Sequence, residues 1–436
     1  MTEGDFRKKI IYFAIPIFIG NLFQQLYNTV DSLIVGNYLG SSALAAVSST
    51  SAFIYLIIGF SVGFSQGAGV IIARHIGAKD QDLTTRAVHT AAILGVFIGI
   101  LMTLVGIFLA PFILTWTKTP LNVYEDALLY LRIYFSGSWA LILYNMFVGI
   151  LQASGDSRHP LYYLMISSIL NVILDVLFVT VFHMGVDGAA LATVLSQVVS
   201  MVLVFLQLMR KDSVVKLSFS KLRIDFDELE MIIRQGFPTA MQGSVIDISN
   251  MLIQSYINSF GSLAMAGIGA FTKVEGFIFL PVTAFSLAVT TFISQNLGAN
   301  QVDRAKQGIK FSYLCSITII VIMGVLIFIF APQIIGAFDS NPEVIYYGVG
   351  RARVSSIFFF IVGFSHMTSA VMRGVGKPVV PMVVMLVCWC LVRVVVVMTI
   401  GQVYHNINIV YWIYPFTWTL SSLVYLYFLK RIDLFQ

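Results

Sequence analysis

The chain has 436 residues, of which 58% are apolar and only 11% charged. That is too few charges to cover a soluble surface of this size, so soluble and disordered classes are excluded and an all-α polytopic membrane protein is left. The formal net charge is +5. The Lys and Arg residues behind it fall between apolar runs and not on one polar face, which is a topology signal and not a nucleic-acid surface.

The first apolar run, 10–36, makes about 27 residues of helix or ~40 Å, enough to cross ~30 Å of hydrocarbon. It is longer than the core of a signal peptide and lacks a small-residue cleavage site, so it reads as an uncleaved span. Asp31 stands near its end, with Gln24, Tyr27 and Asn28 seven, four and three residues before it, on one helical face. Pro16 lies about four turns earlier. A carboxylate here either reaches interfacial water or faces an interior, and the ladder of polar neighbours favours the interior.

Further apolar runs follow at 48–73, 87–114, 125–150, 160–182, 187–209, 229–258, 264–294, 308–331, 343–371, 379–400 and 408–429, twelve spans in all. Basic residues collect around Arg7, Arg74, Arg158, Arg210, Lys211, Arg304, Arg373 and Lys430, every second connection and both ends. Lys118, Arg132, Arg351 and Arg353 fall at the opposite ends. The asymmetry puts both termini in the cytoplasm.

The longest polar connection, 211–228, divides the chain into an N-terminal lobe at 1–210 and a C-terminal lobe at 229–436, each of six spans. The halves echo each other. Leu39-Gly40-Ser41 matches Phe260-Gly261-Ser262, Ile76-Gly77-Ala78 matches Leu297-Gly298-Ala299, and Gly155 to Pro160 matches Gly376 to Pro381, all at an offset of 221. Pro16 matches Pro238 with a one-residue slip. Even-numbered halves start on the same side, so they are parallel repeats of six helices with a cleft expected between them.

The intramembrane polar residues concentrate in the first half. Asn171 and Asp175 on span five, and Thr193 and Gln197 on span six, are each an i, i+4 pair. Span four adds Tyr130, Tyr134 and Asn145. Two carboxylates with an amide and a hydroxyl supply hard oxygen ligands for a small cation, or a carboxyl pair that carries a proton. Asn171, Thr193 and Gln197 can instead serve only as interhelical ties. In the second half, Glu275 either lines a substrate cleft or pairs with Lys273 or Arg393. Cys315, Cys388 and Cys390 have no metal or disulfide spacing. No P-loop, HExxH or GxSxG signature is present, so the chain reads as a non-enzyme driven by an ion gradient.

The runs NTVDSLIVGNYLGSSALAAVS and SYINSFGSLAMAGIGAFTKVEGF, with RHIGAKD and QNLGANQ, resemble the multidrug and toxic compound extrusion (MATE) transporters, closest to the prokaryotic DNA-damage-inducible-type branch. The resemblance covers nearly the whole chain. It implies a V-shaped pair of six-helix lobes that exports organic, often cationic, amphiphiles in antiport with Na⁺ or H⁺ by alternating access. It also implies a cation site at Asp31, Asn171, Asp175 and Thr193 and a first-helix hinge at Pro16. Gln24, Tyr27, Asn28, Tyr134, Asn145, Gln197 and Glu275 are the expected substrate-cavity residues. No cofactor beyond the coupling ion is implied. The expected setting is a bacterial inner membrane, with a monomer working on small amphiphiles within the lipid bilayer. A flippase for lipid-linked sugars or peptidoglycan precursor is the alternative. It calls for a strongly basic cavity, whereas Lys273 and Arg393 are the only embedded cations expected here.

Overall fold

A computed structural model describes residues 1–117, 119–210 and 213–431, without the side chains of Ser41 and Ala52. Lys118 and Lys211 of the loop-charge pattern, and Asp212 of the 211–228 connection, lie outside the described residues. Among the described residues there is no strand. The first half runs α1 (Phe6–Ile34), α2 (Ser41–Gly77), α3 (Gln81–Trp116), α4 (Leu121–Ser136), α5 (Ser138–Ala153), α6 (Arg158–Val176) and α7 (Val186–Leu208). The second runs α8 (Phe226–Asn258), α9 (Ser262–Gly298), α10 (Val302–Gly336), α11 (Pro342–Ile357), α12 (Phe359–Gly374), α13 (Val379–Val384), α14 (Val392–Tyr404) and α15 (Asn408–Arg431). Single π-helical segments extend α1 (Val35–Leu39) and α6 (Leu177–Val181), and another (Met385–Leu391) joins α13 to α14.

The expected runs 125–150 and 343–371 are bent rods: α4 meets α5 at 45° and α11 meets α12 at 58°. Counting each bent pair as one, ten rods are long and apolar enough to cross a membrane. The two others are α8, which carries Arg234, Gln242, Asp247 and Asn250, and α15, rich in Tyr, Trp, Ser and Thr; both are polar for spans. Helix starts are set by local chemistry. The Asp80 carboxylate accepts from Leu83 N at 3.0 Å to cap α3, and Asn341 Oδ1 accepts from Glu343 N at 2.9 Å ahead of Pro342 in α11.

The duplication is written into the turns. Left-handed residues recur in pairs: Gly40 (φ 88°) with Gly261 (91°), Lys79 (58°) with Asn300 (57°), and Gly155 (92°) with Gly376 (89°), each 221 apart. His183 (53°) and His405 (32°) form a fourth pair at 222. A positive φ is costly for any residue with a Cβ, so four such pairs in register mark one backbone design used twice.

The compact units do not divide at the polar connection. One comprises residues 15–240, and the other residues 241–436 together with 1–14. Each crossing falls inside a helix and next to a proline, Pro16 in α1 and Pro238 in α8. Proline removes one N–H from the helical ladder there. The leading half of α8 belongs to the first unit through a close approach to α2. A Cβ on Gly67 would overlap the backbone of Gly236, and one on Gly63 the backbone of Ala240. Without a hydrophobic drive between helices in lipid, small-residue contact of this kind is what holds spans together.

The 211–228 connection, expected as a separate linker, is docked on the first unit from residue 213 onward. Val215 and Leu217 are buried, and Leu217 N donates to Leu208 O at 2.9 Å. His89 Nδ1 donates to Thr85 O at 2.7 Å, and its Nε2 accepts from Ser218 N at 3.0 Å. Asp225 N donates to Thr90 Oγ1 at 3.0 Å. The polar sequence of this stretch is spent on binding the ends of α2 and α3.

Candidate cation site in the first half

The face of α7 that meets α6 fixes the site. Ser167 Oγ on α6 donates to Ser196 O on α7 at 2.8 Å. The two helices run antiparallel, so one turn onward on α6, at Asn171, faces one turn back on α7, near Thr193. Asp175 follows after another turn. Asn171 and Asp175 are 1% and 0% exposed. From α1, Asp31 comes within interacting range of the Asp175 carboxyl and of the Tyr27 and Tyr130 side chains. Tyr130 and Tyr134 stack with ring centroids 6.4 Å apart, and Gln197 Nε2 donates to Tyr134 Oη at 3.4 Å. Both carboxylates lie just before π-helical segments, which begin at Val35 and Leu177. Such segments redirect side chains and recur at functional sites.

Hydrogen bonding inside this cluster is incomplete. Asp31 Oδ1, Asn171 Oδ1, both Asp175 carboxylate oxygens and Gln197 Oε1 are buried with no donor among the described residues. Thr193 Oγ1 gives its proton to Ala189 O at 3.0 Å, which leaves its lone pairs free to accept. Two ionised carboxylates are acceptors only, so nothing bonds them to each other unless a proton sits between them. Burying such charges unpaired is expensive, and a proton or a small cation relieves it directly. The donor set is all hard oxygen, which fits Na⁺ or H⁺ and does not fit a soft metal.

The other expected cavity residues separate. Gln24 and Tyr27 stand on the Asp31 face of α1, half-buried and hydrogen-bonded to each other, and Asn28 is also half-buried. Asn145 is half-buried, and its Nδ2 donates to Ser61 Oγ at 3.2 Å, tying α5 to α2. Pro16 is buried inside an unbroken α1. Glu275 is not free: Arg393, one of its two expected partners, lies within electrostatic range, but the hydrogen-bonded partner is another residue. Its Oε2 accepts from Arg351 Nη2 at 3.2 Å, in the second unit. Lys273 is exposed, whereas Arg351, expected at a loop, is 3% exposed within α11. The break after Ile357 turns an expected span end into a helix interior. Sequence reasoning also passed over Tyr414 and Thr417, which meet Arg351 and Arg393 here.

Two six-helix bundles built as parallel repeats, with a carboxylate pair buried in one of them, define a polytopic membrane carrier of duplicated design. The family model described as MatE matches residues 16–177 and again 238–399, and the chain belongs to that family. It is 29% identical over 381 residues to "Probable multidrug resistance protein YoeA" of Bacillus subtilis, covering 85% of this chain and 82% of the relative. It is 25% identical over 386 residues to "Probable multidrug resistance protein NorM" of Thermotoga maritima, covering 87% and 82%. A solved structure described as "Outward-facing conformation of a multidrug resistance MATE family transporter of the MOP superfamily" shares the fold, with a TM-score of 0.91, 24% identity and coverage of 99% and 97%.

Proposed function

We propose that the chain is a secondary active exporter of amphiphilic organic compounds, cationic ones included, coupled by antiport to Na⁺ or H⁺ at Asp31 and Asp175. The observation that carries this reading is the pair of neighbouring carboxyl groups, Asp175 fully buried and Asp31 half-buried, with three buried oxygens that lack donors among the described residues. The multidrug names of relatives aligned over more than four-fifths of the chain support it. With both carboxylates ionised, the first half holds a negative charge that attracts an organic cation. Binding of the coupling ion cancels that charge, so substrate and ion compete for one site and each drives the other out. Asn171 and Thr193 complete the oxygen set, and the missing N–H at Pro16 lets α1 bend as the charge changes.

The setting we infer is a bacterial inner membrane, with a monomeric chain and both termini in the cytoplasm. Assigning Arg351 to a helix interior makes the opposite side poorer still in basic loops, which supports that orientation. Export of ethidium from membrane vesicles, with Na⁺ and pH gradients imposed separately, tests the coupling. One gradient is expected to drive export in the wild type and neither in Asp31→Asn or Asp175→Asn. Gradient-driven export that survives both substitutions would overturn the reading.

A further inference from the structure

The second half holds a buried polar cluster of opposite sign to the first. Arg351 and Arg393 are 3% and 1% exposed, and the carboxylate paired with them among the described residues is Glu275. Arg393 Nη1 donates to Asn250 Oδ1 at 3.3 Å and its Nη2 to Thr417 Oγ1 at 3.0 Å, both neutral partners. The two guanidinium carbons lie 4.2 and 4.4 Å from the centre of the Tyr414 ring, and Trp389 lies 5.4 Å from Arg393. Glu275 neutralises one guanidinium, and Arg is never deprotonated in proteins. One net positive charge therefore remains in the interior, held by dipoles, ring faces and the more distant Glu275 carboxylate that it shares with Arg351.

The position of this cluster is not arbitrary. Helices α2, α4 and α5 (residues 41–77, 121–136 and 138–153) recur as α9, α11 and α12 at an offset of 221 (262–298, 342–357 and 359–374). At that offset Arg351 stands where Tyr130 stands in the first half. At the 222-residue offset of the His183/His405 pair that closes this span, Arg393 stands where Asn171 stands. The location that collects two carboxylates in one repeat collects two guanidiniums in the other.

We propose that Arg393, with Asn250 and Thr417, forms an anion-binding site in the second half that takes a carboxylate, sulfonate or phosphate group. Glu275 occupies Arg351 and so leaves Arg393 as the receptor, while Tyr414 and Trp389 supply aromatic surface suited to a planar anion. Asn250 is exposed on α8, which gives the guanidinium a polar way out of the core. Asp247, one turn before Asn250 on the same helix, is half-buried and makes no ion pair with either arginine among the described residues.

The test is binding to the purified full chain in lipid nanodiscs with no gradient, which separates it from any test of coupling. Energy transfer from tryptophan reports dansylate, an aromatic sulfonate, against dansylamide, its neutral counterpart. The wild type is expected to prefer the sulfonate by about tenfold or more, as a charge-assisted hydrogen-bonded pair would. Arg393→Gln is expected to lose that preference and Arg393→Lys to keep part of it. Asn250→Asp, which sets a tethered carboxylate beside the guanidinium without changing shape, is expected to lose it with the fold intact. Displacement of dansylate by chloride assigns the site to free inorganic anions, and displacement by benzoate alone assigns it to organic ones; either supports the site. Equal binding of the two dansyl probes by the wild type, or a preference that persists in Asn250→Asp, would overturn it. Ethidium export that fails while the sulfonate preference stands would count against the coupling reading alone.

Discussion

At the scale of single residues, the unsatisfied carboxylates of the first half set stability against function. Asp175 is fully buried without a donor, so Asp175→Asn removes a charge that the fold does not neutralise. The variant is expected to gain about 1–3 kcal/mol in stability while losing gradient-driven export. Thermal unfolding and ethidium flux on the same preparation measure the two sides. Asp225, outside the spans, behaves in the opposite way. The N–H of Glu228, joined by Arg86, holds its carboxyl below the usual value. A lowered folded-state pKa stabilises above the unfolded value, about 4, and that contribution is lost as pH falls through the folded value. Thermal stability of the wild type is thus expected to drop more steeply below about pH 4 than that of Asp225→Asn. That Asp31 and Asp175 face an interior was legible in the sequence, because a carboxylate inside an apolar run has few innocent explanations. The Glu275–Arg351 pair was not, because its partners are 76 residues apart and one of them sits in a rod whose break carries no sequence mark.

At the scale of elements, bends and contacts decide what the sequence concealed. The α4/α5 bend has a signal in Gly137, whereas the equivalent α11/α12 bend falls at Phe358, a residue that announces nothing. The twelve rods were readable as long, mostly apolar runs, and ten of them are apolar enough to cross a bilayer on length and hydropathy alone. Their partners were not, because lipid-facing and protein-facing residues are equally apolar. The α2/α8 approach is the contact most open to test. Gly67→Ala pushes a methyl into the Gly236 backbone and is expected to cost about 1–3 kcal/mol, whereas alanine at Gly269, which meets nothing, is expected to be nearly silent. At the start of α3, Asp80→Ala removes two accepted N–H bonds and is expected to cost about 1 kcal/mol. Thermal scanning of the three variants in one detergent ranks them.

At the scale of the whole molecule, the midpoint of the sequence is not the boundary of the structure. Residues 1–14 pack with the second unit, and residues 226–240 with the first. Fragments 1–210 and 211–436 are therefore each expected to lack part of one unit and carry part of the other. Produced separately, they are expected to be degraded or to aggregate; produced together, they are expected to restore a monodisperse particle in size-exclusion chromatography. Recovery of a stable 1–210 fragment by itself would show that the crossing is dispensable.

The same crossing orders events at the ribosome. Residues 6–14 pack with a part of the chain made much later: Phe6 stacks edge-on against Phe311 of α10 at 6.1 Å. The leading half of α8 instead meets an α2 already waiting in the membrane. Helix α1 is thus among the last of these helices to finish docking, and its early half must wait in lipid or in the care of the insertion machinery while about 300 residues are made.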